Sequence, residues 1–226
     1  MSTLSGGPNI VVDGLVLYLD AANRYSYVSG STAWRDLSRS GNNGTLINGP
    51  TFNTGSGGSI VFDGIDDYVS SNTTAASLTG INGIFTLGCW FKTSQIAQQM
   101  LVGCPDTPRF YIETFNRSGN LVAHWGIGNT NNSSLSSAII NINTFYFYLI
   151  NYDGNVVNSY LNGILTDTDI IGTQSYNSNT LRIGKYLDGF PLQLNGNISQ
   201  VSIYNKILSA QEVLQNYNAT KTRFGL

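Results

Sequence analysis

The chain has 226 residues, of which only 11% are charged, and its formal net charge is −2. That length buries a core without disulfide or metal staples, and the absence of any basic cluster excludes nucleic-acid binding. No apolar run approaches the length of a membrane-spanning helix.

The 26 asparagines, with abundant Gly, Ser and Thr, make a surface that is polar through amides and hydroxyls rather than charge. Such surfaces suit long-lived extracellular or assembled proteins. Residues 1–8 have neither a basic stretch nor an apolar run, so no secretory signal is read there. Residues 1–13 are read as an N-terminal arm, polar over 1–12, held by a partner or a neighbouring copy.

Residues 14–20 (GLVLYLD) alternate Leu15, Leu17 and Leu19 against Val16 and Tyr18, which predicts a buried strand. A loop over 21–31 carries Tyr25 and Tyr27. Short strands follow at 34–36, 45–47 and 51–52, the last two around the turn residues Asn48-Gly49-Pro50. Over 57–70 (GGSIVFDGIDDYVS), Ile60 and Phe62 point to one side of a strand. Asp63-Gly64 then predicts a hairpin turn into a second strand opened by Tyr68 and Val69.

Residues 84–92 (IFTLGCWFK) place Phe85, Leu87, Cys89 and Phe91 on one face and Thr86, Gly88, Trp90 and Lys92 on the other. Strands are read at 100–102, 109–115, 121–127, 145–152, 156–162, 181–184 and 198–204, most of them separated by turns. Many short strands at this spacing argue for an all-β sandwich or jelly roll. One helix is read at 210–217. Ser209 is its N-cap, Glu212 closes a capping box, and Leu208 with Val213 forms a hydrophobic staple. Residues 14–218 form one domain, with 219–226 as a C-terminal tail. Cys89 and Cys104 are read as reduced thiols; a disulfide between them is the alternative.

The segments 16–20, 36–38 with 41–44, 61–69 (VFDGIDDYV), 85–87 with Trp90, 160–163 (YLNG) and 201–212 (VSIYNKILSAQE) together resemble laminin-G-like domains of the concanavalin A-like superfamily. The matches run in order over most of the chain. The resemblance implies a concanavalin A-like jelly-roll β-sandwich with one short C-terminal helix. The ending, 216–226 (NYNATKTRFGL), resembles the C-termini of laminin-G-like virion proteins of tailed bacteriophages, including cyanophages. It implies a structural protein made in the bacterial cytoplasm and displayed on the virion, decorating a capsid or forming part of a fibre. Its partners would be other virion proteins, further copies of itself, or a host-surface glycan. Many members carry a calcium site with Ile-Asp-Glu-Val before the helix. Here Ile198-Ser199-Gln200-Val201 lacks both carboxylates, and a hard cation needs charged oxygen ligands. Asp20 and Asp36 are the remaining candidates, and no cofactor is expected.

Glycosidases of this superfamily use two nearby carboxylates. This chain has two glutamates, Glu113 and Glu212, and the second belongs to the capping box. Hydrolysis is therefore not expected. The single histidine, His124, has no sequence partner for a nucleophilic triad or a zinc site. The 13 Tyr and 3 Trp combine apolar bodies with polar tips. Trp90, Arg109, Tyr111 and Glu113, with His124 or Trp125 according to register, are read on the outward side of their strands, where an open sheet face would bind a glycan. The alternative is that this face packs against loops or a neighbouring subunit. Tyr25 and Tyr27 are a second candidate contact, or packing across a sandwich edge. Phe224 and Leu226 are candidate assembly contacts, docking on the chain's own sandwich or on another subunit.

Overall fold

The computed structural model describes residues 9–80, 83–128, 135–174, 176 and 180–226. Its strands begin with β1 (Leu15–Asp20), β2 (Ala33–Trp34), β3 (Gly44–Ile47), β4 (Thr51–Asn53), β5 (Ser59–Asp63) and β6 (Tyr68–Thr74). A single helical turn, α1 (Ala75–Leu78), precedes β7 (Phe85–Thr93), β8 (Gln99–Cys104), β9 (Arg109–Arg117), β10 (Asn120–Gly128) and β11 (Leu135–Ile139). Then come β12 (Tyr146–Tyr152), β13 (Val156–Leu161), β14 (Ile164–Ile170), β15 (Thr180–Ile183), β16 (Asn195–Tyr204) and helix α2 (Ala210–Thr220).

The strands form two antiparallel sheets. The first has the order β14-β13-β12-β7-β16-β5-β4, with β1 also on β16; the second runs β11-β10-β9-β8-β15-β6-β3-β2. The sandwich core lies between them. Ile60, Phe62, Phe85, Leu87, Cys89 and Phe91 face it from the first sheet, and Phe110, Ile112, Trp125, Leu181 and Ile183 face it from the second. The period-2 alternation in the sequence is thus realised on both sides. Cys89 and Cys104 are free and lie in different sheets. Burial pushes both thiols well above their ordinary pKa, which keeps them protonated and unreactive.

The expected hairpin at Asp63-Gly64 is not one. Strand β5 pairs with β4 and β16, whereas β6 pairs with β3 and β15, so the turn carries the chain from one sheet to the other. The carboxylates fold this arch. Oδ1 of Asp63 accepts the N–H of Ile65 at 2.7 Å, and Oδ2 of Asp67 accepts the N–H of Asp63 at 3.1 Å. Gly64 takes φ +80°, open to glycine at little cost. The Asn48-Gly49-Pro50 turn makes a second such crossing, from β3 to β4.

Helix α2 starts as read. Ser209 Oγ accepts the N–H of Glu212 at 3.2 Å, and Glu212 Oε2 accepts the N–H of Ser209 at 2.8 Å. Leu208 and Val213 lie in one buried cluster. The helix runs on to Thr220 and a 3-10 turn covers Lys221–Phe224, so part of the expected tail is regular structure.

The arm needs a correction too. Residues 9–12 lie against the chain's own helix rather than waiting for a partner. Val11 is buried; its N–H donates to Asn216 Oδ1 at 2.8 Å, and its carbonyl accepts Tyr204 OH at 2.9 Å. Burying the Val11 side chain with both backbone groups satisfied makes this segment part of the domain. Residues 1–8 lie outside the described residues.

Candidate functional site

The outer face of the first sheet is the seat of α2. Alternation turns Trp90, Phe147, Leu149 and Tyr204 outward, and with Leu208 and Val213 they form a second buried cluster. Trp90 has no exposed surface. Its ring stacks at 4.1 Å on Phe224 and 5.7 Å on Tyr217, and its Nε1–H donates to Thr220 Oγ1 at 2.8 Å. The expectation of an open sheet face at Trp90 is thereby corrected: an indole on the outer face attracts the apolar stripe of the following helix. Phe224 accordingly docks on its own sandwich, while Leu226 stays exposed.

Asp20 and Asp36 are both occupied by protein donors. The Arg223 guanidinium grips Asp20 through two bonds of 2.8 and 2.9 Å, and Ala22 N–H adds a third at 2.9 Å. Burial, reinforced by the Asp20 carboxylate, pushes the Tyr18 hydroxyl's pKa upward, so it stays protonated and donates to Asp20 at 3.3 Å. Asp36 accepts from Tyr18 N–H at 2.8 Å, from Ser38 N–H at 2.8 Å and Oγ at 2.7 Å, and from Asn42 N–H at 2.9 Å. Both carboxylates build loops. Asp63, Asp66 and Asp67 bring carboxylate oxygens within 4.8 Å of one another, but two of the three accept the N–H groups of their own arch.

Arg109, Tyr111, Glu113 and His124 lie on the other sheet from Trp90, so the residues read onto one face divide between two. The open register resolves to His124 outward and Trp125 inward, with His124 opposite Glu113. Nδ1 of His124 lies 2.7 Å from Oε1 of Glu113, and Gln98 Nε2 donates to both carboxylate oxygens at 3.1 Å. Both members of the pair are buried. Tyr111 lies over bare backbone: a Cβ on Gly126 would meet its Cζ at 2.5 Å. Its ring meets Tyr186 edge-on at 5.5 Å, and Arg109 Nη1 donates to Tyr186 OH at 3.1 Å. This stretch of the face is filled by its own side chains.

The two loop tyrosines separate. Tyr25 is exposed beside Arg24, while Tyr27 is buried and packs on Phe52 at 5.3 Å. Beside that pair lies a groove of about 400 Å³ between the loop after Tyr27 and the β3–β4 crossing. Tyr27, Ser29, Ser31, Thr32 and Thr51 bring hydroxyl-bearing side chains to it; Leu46, Pro50 and Phe52 bring apolar surface. Among the described residues, no charged side chain lines it. A groove of about 410 Å³ between residues 9–15 and the end of α2 has, among the described residues, one charged lining group, Arg223, already paired with Asp20.

A model of the concanavalin A-like lectin/glucanases superfamily matches residues 63–214. The chain belongs to this superfamily. No curated protein sequence matches it. Among solved structures, domain 4 of the extracellular arabinanase AbnA of Geobacillus stearothermophilus, in complex with arabinotriose, superposes with a TM-score of 0.68 at 16% identity, over 90% of this chain and 98% of that one. The binding domain of Paraclostridial mosquitocidal protein 1 gives 0.70 at 16%, over 92% of this chain and 52% of that one. The receptor binding domain of botulinum neurotoxin type G gives 0.66 at 17%, over 91% and 51%. The chain thus spans about half the length of these two toxin structures. At such identities the likeness is one of fold.

In this superfamily member, sequence reasoning reached Tyr27 but missed Phe52, Pro50 and Thr51 across the groove, which a chain crossing brings to it. It also missed Tyr186, Lys185 and Arg182 beside the outward face of the second sheet. Gly184-Lys185-Tyr186, a turn with two large polar-tipped side chains just after a core strand, was the available signal.

Proposed function

We propose that this superfamily domain is a non-catalytic glycan-binding module whose groove beside Tyr27 and Phe52 takes a neutral saccharide. The uncharged, hydroxyl-lined groove carries the proposal. Ligand pockets of a few hundred Å³ combine apolar walls with a few placed polar groups. Saccharides offer C–H faces to the half-buried Phe52 ring and hydroxyls to Ser29, Ser31 and Thr51. An ionic ligand would find no counter-charge among the described lining residues. The neighbour in complex with arabinotriose and the neighbour described as a receptor binding domain support recognition as the role. Hydrolysis has little support from the glutamates: Glu113 is held by His124 and Gln98, and Glu212 by Ser209 and Lys206.

The test is a glycan array on the full chain, followed by calorimetry with its best neutral oligosaccharide. Phe52→Ala and the exposed rim variant Ser29→Trp are each expected to weaken binding at least about 10-fold (about 1.4 kcal/mol). Unchanged affinity in both, or no neutral glycan bound at all, overturns the assignment.

For its setting we infer display on a tailed-phage virion, on capsid or fibre. The amide-rich, weakly charged surface and the resemblance of residues 216–226 to virion proteins support this. Antibody raised against the chain is expected to decorate purified virions; virions that carry none of it refute the setting while leaving the glycan reading intact.

A further inference from the structure

Beyond the neutral groove, the second sheet carries a cluster of cations and aromatic rings. Leu181 and Ile183 are buried in the core, so alternation turns Arg182 outward, opposite Ser70 of β6. Its Nη1 donates to the Tyr186 carbonyl at 3.0 Å, which fixes the guanidinium 5.9 Å from the centre of the Tyr68 ring. Lys185 Nζ lies 4.8 Å from the centre of the same ring. These side chains are mostly covered, 21% exposed for Arg182 and 14% for Lys185. A carboxylate reaches them both: Asp188, 2.9 Å from Lys185 Nζ and 3.6 Å from Arg182 Nη2, on a side chain that is 76% exposed.

We propose that Arg182, Lys185 and Tyr68 form a second site, for the carboxylate of an acidic saccharide, and that Asp188 is its resident stand-in. The asymmetry of exposure carries the argument. Arg182, fixed by the Tyr186 carbonyl, and Lys185, mostly covered over the Tyr68 ring, keep their strength as anion partners. An exposed carboxylate on a loop gains little from pairing and is readily displaced. One carboxylate against two cations leaves the cluster with a net positive charge. The Lys185 bond and the Arg182 charge hold the Asp188 carboxyl below its ordinary pKa, so the stand-in is anionic. The ligand is a saccharide rather than a bare ion because rings flank the charges. Tyr68 underlies both cations, and Phe190, half exposed, meets Tyr186 edge-on at 5.4 Å.

Titration calorimetry of the full chain with trigalacturonate tests this, with maltotriose as the uncharged control and inorganic sulfate as the bare-anion control. Asp188→Asn removes the competitor and is expected to bind trigalacturonate at least about 5-fold tighter than the wild type. Lys185→Ala and Arg182→Gln are each expected to lose at least about 10-fold, with thermal midpoints confirming that they fold. Added salt is expected to weaken binding. The groove variant Ser29→Trp is expected to leave trigalacturonate affinity unchanged, which separates this site from the neutral one. Failure of Asp188→Asn to bind, or an affinity that Asp188→Asn does not raise, overturns the proposal. Sulfate binding as strong as that of trigalacturonate, or maltotriose binding that Lys185→Ala abolishes and Ser29→Trp leaves unchanged, removes the acidic-saccharide assignment.

Discussion

Arg223→Ala is expected to lower the unfolding free energy by about 3 kcal/mol, the scale set by breaking a buried ion pair from one side. Asp20 is buried in β1, and Arg223 supplies two of its hydrogen bonds. Removing the guanidinium leaves a buried carboxylate with, among the described residues, the Tyr18 hydroxyl and Ala22 N–H as its donors. For a domain of this size the loss corresponds to a fall in thermal midpoint of about 6–12 °C. Arg223→Lys is expected to recover only part of it, because an ammonium cannot make the two-pronged contact. Truncation after Thr220 is expected to cost more than Arg223→Ala, since it also strips Phe224 from the Trp90 ring. Urea unfolding of the three variants measures the series. A truncated chain as stable as the full one would return the tail to the role of an assembly contact and Trp90 to the role of a surface ring.

The fate of Trp90 shows what a sequence discloses. Alternation along 84–92 separates the core face from the outer face correctly, because the pleat has period two whatever surrounds it. It says nothing of what covers the outer face. That depended on a helix more than a hundred residues later, whose capping box was legible while its landing place was not. The same gap explains the arch at residues 63–67. Asp and Gly mark a change of direction, and their turn chemistry serves a hairpin or a crossing between sheets alike. Only the partners of β5 and β6 decide. Tyr111 and Trp90 were placed together because each points away from its own core residues, yet two sheets have two outer faces. Phe52 and Tyr27 illustrate the converse: they meet at 5.3 Å although 25 positions separate them, and no local pattern announces the groove they build.

His124→Ala is expected to destabilise the domain by about 1–3 kcal/mol, the cost of leaving a buried hydrogen-bonding group without its partner. Glu113 is wholly buried in the middle of the second sheet, and after the substitution Gln98 is the one hydrogen-bond donor left to its carboxylate among the described residues. Glu113→Ala is expected to cost a similar amount by stranding the imidazole beside Phe115. The double variant Glu113→Leu/His124→Leu is expected to lie closer to the wild type than either single variant, because apolar groups of similar volume need no partner. A double-mutant cycle in urea, closed with the single variants Glu113→Leu and His124→Leu, reads the coupling, and strictly additive losses would show that the two side chains do not sustain each other. The outcome also bears on chemistry. The chain has one histidine and two glutamates, and this pair takes one of each. If the pair only holds β9 to β10, the double variant keeps its saccharide affinity in the Tyr27 groove, which neither residue lines. Loss of that affinity with stability intact would instead place the binding surface on the outer face of the second sheet.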